Sequence, residues 1–460
     1  MKGSDRHFII PVYQRNYDWR LENCKQLYND LVKIIKKDLS SHFFGSLVSY
    51  NSGSDDEYLI IDGQQRLTTV TLLFLAMYNL INRGVLSYKR PKLEERIQKE
   101  FLLDEYNSWK TKIKLNKNDQ LAFVKLFSDP SEHIRSSNVT VNYEYFYDRL
   151  QQEEISIDDL YEAICRLEFI HIRLERDDNP QLIFESLNST GLDLSEGDKI
   201  RNFVLMGLTK EKQENYYENF WNKIEMNTNY DVSSFIRDYL SVKQQAIPSQ
   251  KKIYSKFKEF VEQANLQVEN LLSEMLAYAK RYRILLEGNT KNKDFDGCVT
   301  RLNRLETTVT RPFFLEVLRL LDEKKLTMAQ VTEIFLIVEN YLFRRTICSI
   351  STSSLNKIFL ALHRDILRYD GSENDYVEKL KFSLLSKKET ARFPDDKEFA
   401  REFETRPVYQ MNSKNKIYIL ERLENSVLLR IRMYIASMMT GLILSNISCL
   451  NILPQGGKKN

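Results

Sequence analysis

The residues best equipped for chemistry lie in "EYLIIDGQQRLTTVTLLFLAM", Glu57 to Met77, where a short apolar run breaks at Asp62-Gly63-Gln64-Gln65-Arg66 and an amphipathic run follows. The first N–H groups of a helix lack intrahelical partners and its N-terminus carries partial positive charge, so a strand–loop–helix joint is a ready anion site. Gly63 admits close approach of backbone or ligand. Arg66 offers a planar fork to phosphate oxygens. Asp62 can hold a magnesium ion, a ribose hydroxyl or a water, and Gln64 and Gln65 can orient a water or a base. The structural alternative makes Asp62 an ordinary cap and Arg66 a solvated first-turn residue. Spacing alone favours that alternative.

Two other stretches compete for a role. "IPVYQRNYDW", Ile10 to Trp19, packs Tyr13, Gln14, Arg15, Tyr17 and Trp19 into ten positions, enough to stack a nucleobase and grip phosphate, or to form a lid of edge aromatics over a core. In "FESLNSTGLDLSEGDKIRN", Asn188, Thr190, Gly191, Asp193 and Lys199 can line a site between two helix ends, although helix caps and a C-terminal glycine explain most of the pattern. Arg344 and Arg345 interrupt the apolar run "FLIVENYLFRRTICSI", so they pair with Glu339 or another acid, or else face phosphate. His7, His42, His133, His171 and His363 form no HxxxH or HxE grouping, and no GxxxxGK[ST] loop occurs.

The elements that must position these residues can be read from periodicity. Phe8 opens an extended lead-in, "RLENCKQLYNDLVKIIKK" has helical spacing, and "FFGSLVSY" and "YLIID" read as a hairpin joined by "NSGSDDE", with a helix from Gln64 to Asn82. The region to Glu153 reads as charged and helical. "FIHIRLE" alternates, which places Ile170, Ile172 and Leu174 on one face of a half-buried strand and His171, Arg173 and Glu175 on the other. Asp178 or Asn179 caps a helix with Pro180 in its first turn, and Ser195 caps the next with Asp198 three residues on. From about Lys251 nearly everything reads as helix.

A chain of 460 residues with 42% hydrophobic and 28% charged residues and only 14 Gly and 9 Pro fits a folded, helix-rich protein of two or three domains. A net charge of +3 sets 67 basic against 64 acidic residues, so any nucleic-acid surface must be local. The five cysteines form no CxxC pair, which fits a reduced cytoplasmic setting. No secretory signal is visible, and the chain begins almost inside a structural element, as if its natural start lay upstream. Met433 to Gly457 carries no charge and is long enough to span a bilayer, but Ser437, Thr440, Ser445, Asn446, Ser448 and Asn451 make it a mediocre one, so no membrane association is expected.

Taken in order, "IPVYQRNYDW", "DGQQRLTT" and "IFESLNSTGLDLSEGDKIRNF" closely resemble the GmrSD-type restriction endonuclease N-terminal domain family, a ParB-like family of bacterial modification-dependent restriction and phage-defence systems. The resemblance continues through "YLFRRTICS" and "FPDDKEFAREFETRPVYQMNSKNKIYILERLEN". It implies an α+β, predominantly α protein: a small ParB-like mixed α/β nucleotide-binding core over 1–210, a helical domain over 211–425, and the truncated start of an HNH-type nuclease domain over 426–460. It further implies a cytoplasmic sensor that binds and hydrolyses GTP or ATP with Mg²⁺, with DNA, an HNH nuclease and a second copy of the chain as partners. A non-catalytic DNA- or protein-interaction module is the alternative. Carried onto this chain, the catalytic residues are Asp62, Gln64, Gln65 and Arg66, with Asp62 as the Mg²⁺ ligand. Tyr13, Gln14, Arg15, Gly63, Thr68, Thr69, Asn188, Thr190 and Lys199 are the nucleotide-binding ones. One departure stands out. "LNILPQ", Leu450 to Gln455, places Asn451 where fused members carry a nuclease histidine, and an asparagine cannot act as a general base, so DNA cleavage by this chain alone is not expected.

Overall fold

Short apolar runs such as "HFI" and "YLIID" bury their side chains and satisfy their backbones only by pairing. The computed structural model describes residues 6–51, 57–104, 110–175, 178, 180–188, 194–305 and 307–425. In it these runs form a five-stranded mixed sheet of order β4-β1-β3-β2-β5. The strands are β1 (His7–Ile9), β2 (His42–Asn51), β3 (Glu57–Asp62), β4 (Ile113–Lys114) and β5 (Leu167–Leu174). The expected hairpin is present: β2 and β3 run antiparallel, with Tyr50 opposite Leu59 and a shift between Val48 and Ser49. β1 lies parallel to both β3 and β4, and β5 lies parallel to β2.

The helix after the Asp62–Arg66 joint, α1 (Gln64–Asn82), departs from the amphipathic reading. From Leu67 to Ile81 every side chain but Tyr78 is buried, so the helix is apolar nearly all round, as a central helix must be. It packs against α2 (Asn138–Leu150). β4 lies in a region expected to be helical throughout; two residues paired to β1 are too few to show a period. β5 is an edge strand, and Ile170 is 57% exposed although Leu174 is buried, so the expected common face of Ile170, Ile172 and Leu174 is covered only towards Leu174.

Local signals fixed other boundaries. Pro180 opens α3 (Pro180–Asn188), and the Ser195 hydroxyl accepts the Asp198 N–H at the start of α4 (Glu196–Leu205), while donating to the Asp198 carboxylate at 2.7 Å. The chain divides into two compact units, residues 1–217 and 218–460. The second is helical in all its described elements, and helices already occupy Asn222–Asn227 and Val232–Gln244, before the expected onset near Lys251. Among the described residues no helix is long and apolar enough to cross a membrane. Met433 to Gly457 and Leu450 to Gln455 lie outside the described residues.

The paired arginines of the helical unit take protein partners, and for Arg344 the partner is an acid other than Glu339. Arg344 is fully buried in Met328–Ile347 and donates to the Asp396 carboxylate at 2.7 Å and the Pro394 carbonyl at 2.9 Å, with its guanidinium over the Phe399 ring. Arg345 donates to the carbonyls of Thr390 and Ser351. Glu339 is engaged by Arg301 and by the Tyr418 hydroxyl. Arg344 therefore ties residues 394–396 to the helix interior. Arg344→Ala is expected to lower the stability of the helical unit by about 2–4 kcal/mol, through lost charge-assisted bonds and packing. Urea unfolding followed by circular dichroism measures it, and a change within about 0.5 kcal/mol would mean that the buried pair contributes nothing net.

Candidate functional site

The joint between β3 and α1 turns on Gly63, whose backbone is left-handed at φ 94°. A Cβ there would lie 2.8 Å from the Ser46 carbonyl oxygen, so only glycine fits between β3 and β2. Gly45 serves the same end from β2: a Cβ on it would stand 2.8 Å from Arg66 Nε and 2.9 Å from its Cζ. The guanidinium thus lies across a bare stretch of strand, donating to the Ser46 carbonyl at 3.1 Å. Asp62 is 4.0 Å from Arg66 Nη1 and accepts the Ser46 hydroxyl at 3.4 Å. The side chains of Arg66 and Asp62 keep 32% and 26% exposure. A cation and a carboxylate therefore meet at a helix start, half open to water.

The two glutamines between them behave differently. Gln65 Oε1 accepts the N–H groups of Asp18 at 2.9 Å and Trp19 at 3.1 Å, and its Nε2 donates to the Asn16 carbonyl at 3.2 Å. Gln64 donates to the Arg15 carbonyl at 3.0 Å. Both are buried. Across the same seam Gln14 donates to the Ile61 carbonyl at 2.8 Å. The irregular segment Tyr13–Trp19 has no strand ladder, and these amides stand in for one.

Its remaining contacts are equally internal. Tyr13 is 2% exposed, and burial pushes its phenol well above the usual range. The Tyr17 hydroxyl meets Thr69 Oγ1 at 2.6 Å and accepts from Asn142 at 3.0 Å, while its N–H donates to the Asp119 carboxylate at 2.6 Å. Thr68 is also buried. Arg15 keeps 22% side-chain exposure, with Nη1 4.0 Å from Asp18 Oδ2.

The GmrSD restriction endonuclease N-terminal domain matches residues 1–205. Residues 1–205 belong to that family. No curated protein matches the chain. Within this GmrSD N-terminal domain, the motif around Asp62–Arg66 and the one around Tyr13–Arg15 are joined into one body by the glutamine clasp.

The third motif reaches it through a residue that spacing did not single out. Arg201 on α4 donates from Nε to the Tyr13 carbonyl at 2.8 Å and from Nη2 to Asp198 at 2.6 Å. The available signal was helical: Gly197, Arg201 and Leu205, four residues apart, are all buried, so the arginine sits in an inward stripe beside an acid three residues back. Lys199 is turned to Glu196 at 2.8 Å. Thr190, Gly191 and Asp193 lie outside the described residues, as does the side chain of Asn188.

Asp62 is the carboxylate best placed to meet a metal here. Among the described residues no group of three or more His, Cys, Asp or Glu side chains could hold an ion. Mg²⁺ commonly takes one or two carboxylates, with other oxygens and waters completing its shell, so Asp62 beside the Ser46 hydroxyl could supply one protein ligand to such an ion.

Two measurements test the clasp. Gln65→Ala strands the N–H groups of Asp18 and Trp19 and should lower the stability of the N-terminal unit by about 2–4 kcal/mol in urea unfolding. A loss below about 0.5 kcal/mol would show that water replaces the amide without cost. Burial also pushes the Asp119 carboxyl up to about 6, even though the Tyr17 N–H favours its charged form. Between an ordinary carboxylate value near 4 and this raised one, the folded state holds a proton that the unfolded chain has lost, so stability falls as pH rises through that window. Asp119→Asn keeps an acceptor for the Tyr17 N–H and should flatten about 2 kcal/mol of that slope between about pH 4 and pH 6, read from unfolding midpoints.

Proposed function

We propose that this chain is a nucleoside triphosphate-binding and hydrolysing sensor of a bacterial modification-dependent restriction or phage-defence system. Membership of residues 1–205 in the GmrSD restriction endonuclease N-terminal domain family supports the setting. The observation that carries the nucleotide reading is the half-open Asp62–Arg66 pair at the start of α1, with Arg66 lying over Gly45. Arg66 offers a fork to phosphate oxygens, and Arg15, 22% exposed on the clasped segment, is a second cation for the same anion. Asp62 would hold the Mg²⁺ that accompanies GTP or ATP or orient the attacking water, the metal supplying neutralisation of phosphate charge. In this role Gln64 and Gln65 position Arg15, and Gly63, Thr68 and Thr69 shape the floor beneath; Lys199, paired to Glu196, would offer a further cation to the phosphates. DNA, modified or foreign, and an HNH nuclease are the partners this reading calls for, with hydrolysis setting when the nuclease acts in the cytoplasm.

A second reading is a non-catalytic DNA- or protein-interaction module. It is favoured by the engagement of Tyr13, Gln14, Gln64, Gln65 and Thr69 in internal contacts, which makes them scaffold whether or not turnover occurs. Phosphate release from GTP and ATP with Mg²⁺, with and without modified DNA, separates the two. The sensor reading expects release that DNA stimulates and that falls by about a hundredfold or more in Arg66→Ala and Asp62→Ala. Variants that bind and hydrolyse like the parent would remove Asp62 and Arg66 from the mechanism, and nucleotide-independent DNA binding without turnover would establish the module.

A further inference from the structure

The helical unit contains a cavity of about 420 Å³ that plays no part in the nucleotide reading. Its volume falls in the range of about 300–1,000 Å³ typical of sites for small organic ligands. Its walls come from four helices: Leu285 and Leu286 at the end of Val268–Glu287, Val299 and Leu302 on Lys293–Arg304, Phe314 on Arg311–Asp322, and Phe335 on Met328–Ile347. Phe314 and Phe335 stack on each other at 3.9 Å, fixing one wall. Asn303 on the second helix donates to the carbonyls of Leu285 and Leu286 at 3.0 and 3.1 Å, which holds two walls at a set separation.

The charged side chains among the described lining residues are Arg311 and Lys414, both cationic. Arg311 is held in place: its Nη1 donates to the Tyr282 hydroxyl at 2.6 Å and lies 4.0 Å from Asp238. Thr307 and Thr310 donate their hydroxyls to the carbonyls of Leu305 and Thr307, so their contribution to the lining is largely methyl and backbone. A lining in which leucine, valine and phenylalanine side chains alternate with polar groups, with a fixed cation at one edge, matches a ligand that carries a partly apolar body and one anionic group.

We infer that this cavity is a second small-molecule site, taking an organic anion with a flat or branched apolar body, its charge beside Arg311 and Lys414 and its body against Leu302 and the Phe314–Phe335 wall. The site lies wholly within residues 218–460 and stands or falls independently of nucleotide hydrolysis.

The probe that matches this chemistry is 8-anilinonaphthalene-1-sulfonate, an aromatic sulfonate whose fluorescence rises in apolar surroundings. Titrated into the full chain under native conditions, it should bind saturably at one site. N-phenyl-1-naphthylamine, which has the same rings without the charge, should bind about tenfold more weakly. Leu302→Trp fills the cavity and should weaken the sulfonate by about tenfold or more. Lys414→Glu, at the edge, should weaken it severalfold while leaving the neutral probe unchanged, and it tests the site even if the tryptophan variant misfolds. Saturable binding that neither variant alters would place the probe elsewhere and overturn the proposal. Equal binding of charged and neutral probes would overturn its anionic character, and fluorescence that rises without saturating would overturn the site itself.

Discussion

The backbone of Tyr13 to Trp19 is the constraint on which the N-terminal unit depends. It crosses the interior as an irregular segment, and each of its buried N–H and C=O groups needs a partner that no strand provides. Gln64 and Gln65 supply four of those partnerships from the first turn of α1, where side chains can point past the helix end. Asn142, Asp119 and Arg201 add others from three different helices. The segment cannot shift without unpairing several groups together, which is how a stretch without regular structure comes to have one conformation.

This arrangement separates residues that stand together in the sequence. Of five consecutive residues, Gln64 and Gln65 face inward, Gly63 makes the turn, and only Asp62 and Arg66 retain contact with water. A helix start that binds an anion needs its donors fixed in advance, since reorganising them on binding would consume the affinity gained. The buried glutamines give the turn that fixity and leave the two charged ends facing water. In the helical unit a comparable task falls to Arg344, whose fork holds residues 394–396 to its own helix from one buried position.

What could be read from the sequence was whatever is encoded locally. The β2–β3 hairpin announced itself by a Gly/Ser/Asp loop between apolar runs, and the start of α4 by Ser195 and Asp198, three residues apart. The strand–helix joint at Asp62 to Gln64 was legible as a position. The roles within the joint were not, because Gln65 is defined by Asp18 and Trp19, which lie 47 and 46 residues away. The same distance hid β4, whose two residues form a strand only because β1 lies beside them, and left open which acid pairs with Arg344, since Asp396 is 52 residues away. Arg201 was hidden twice, by its distance from Tyr13 and by looking like the salt-bridged surface of an exposed helix.

The bond between Tyr13 and Arg201 also sets an order of events during synthesis. Its ends are 188 residues apart, and β1, laid down first, belongs in the sheet between β3 and a strand that begins at Ile113. At about 5–20 residues per second, about 10–40 s pass between the emergence of Tyr13 and that of its last partner. For that interval the aromatic segment is tethered to the ribosome without its latch. A nascent chain of this protein thus holds an aromatic-rich stretch incompletely fastened for that time, and it is there that a chaperone would find an early grip.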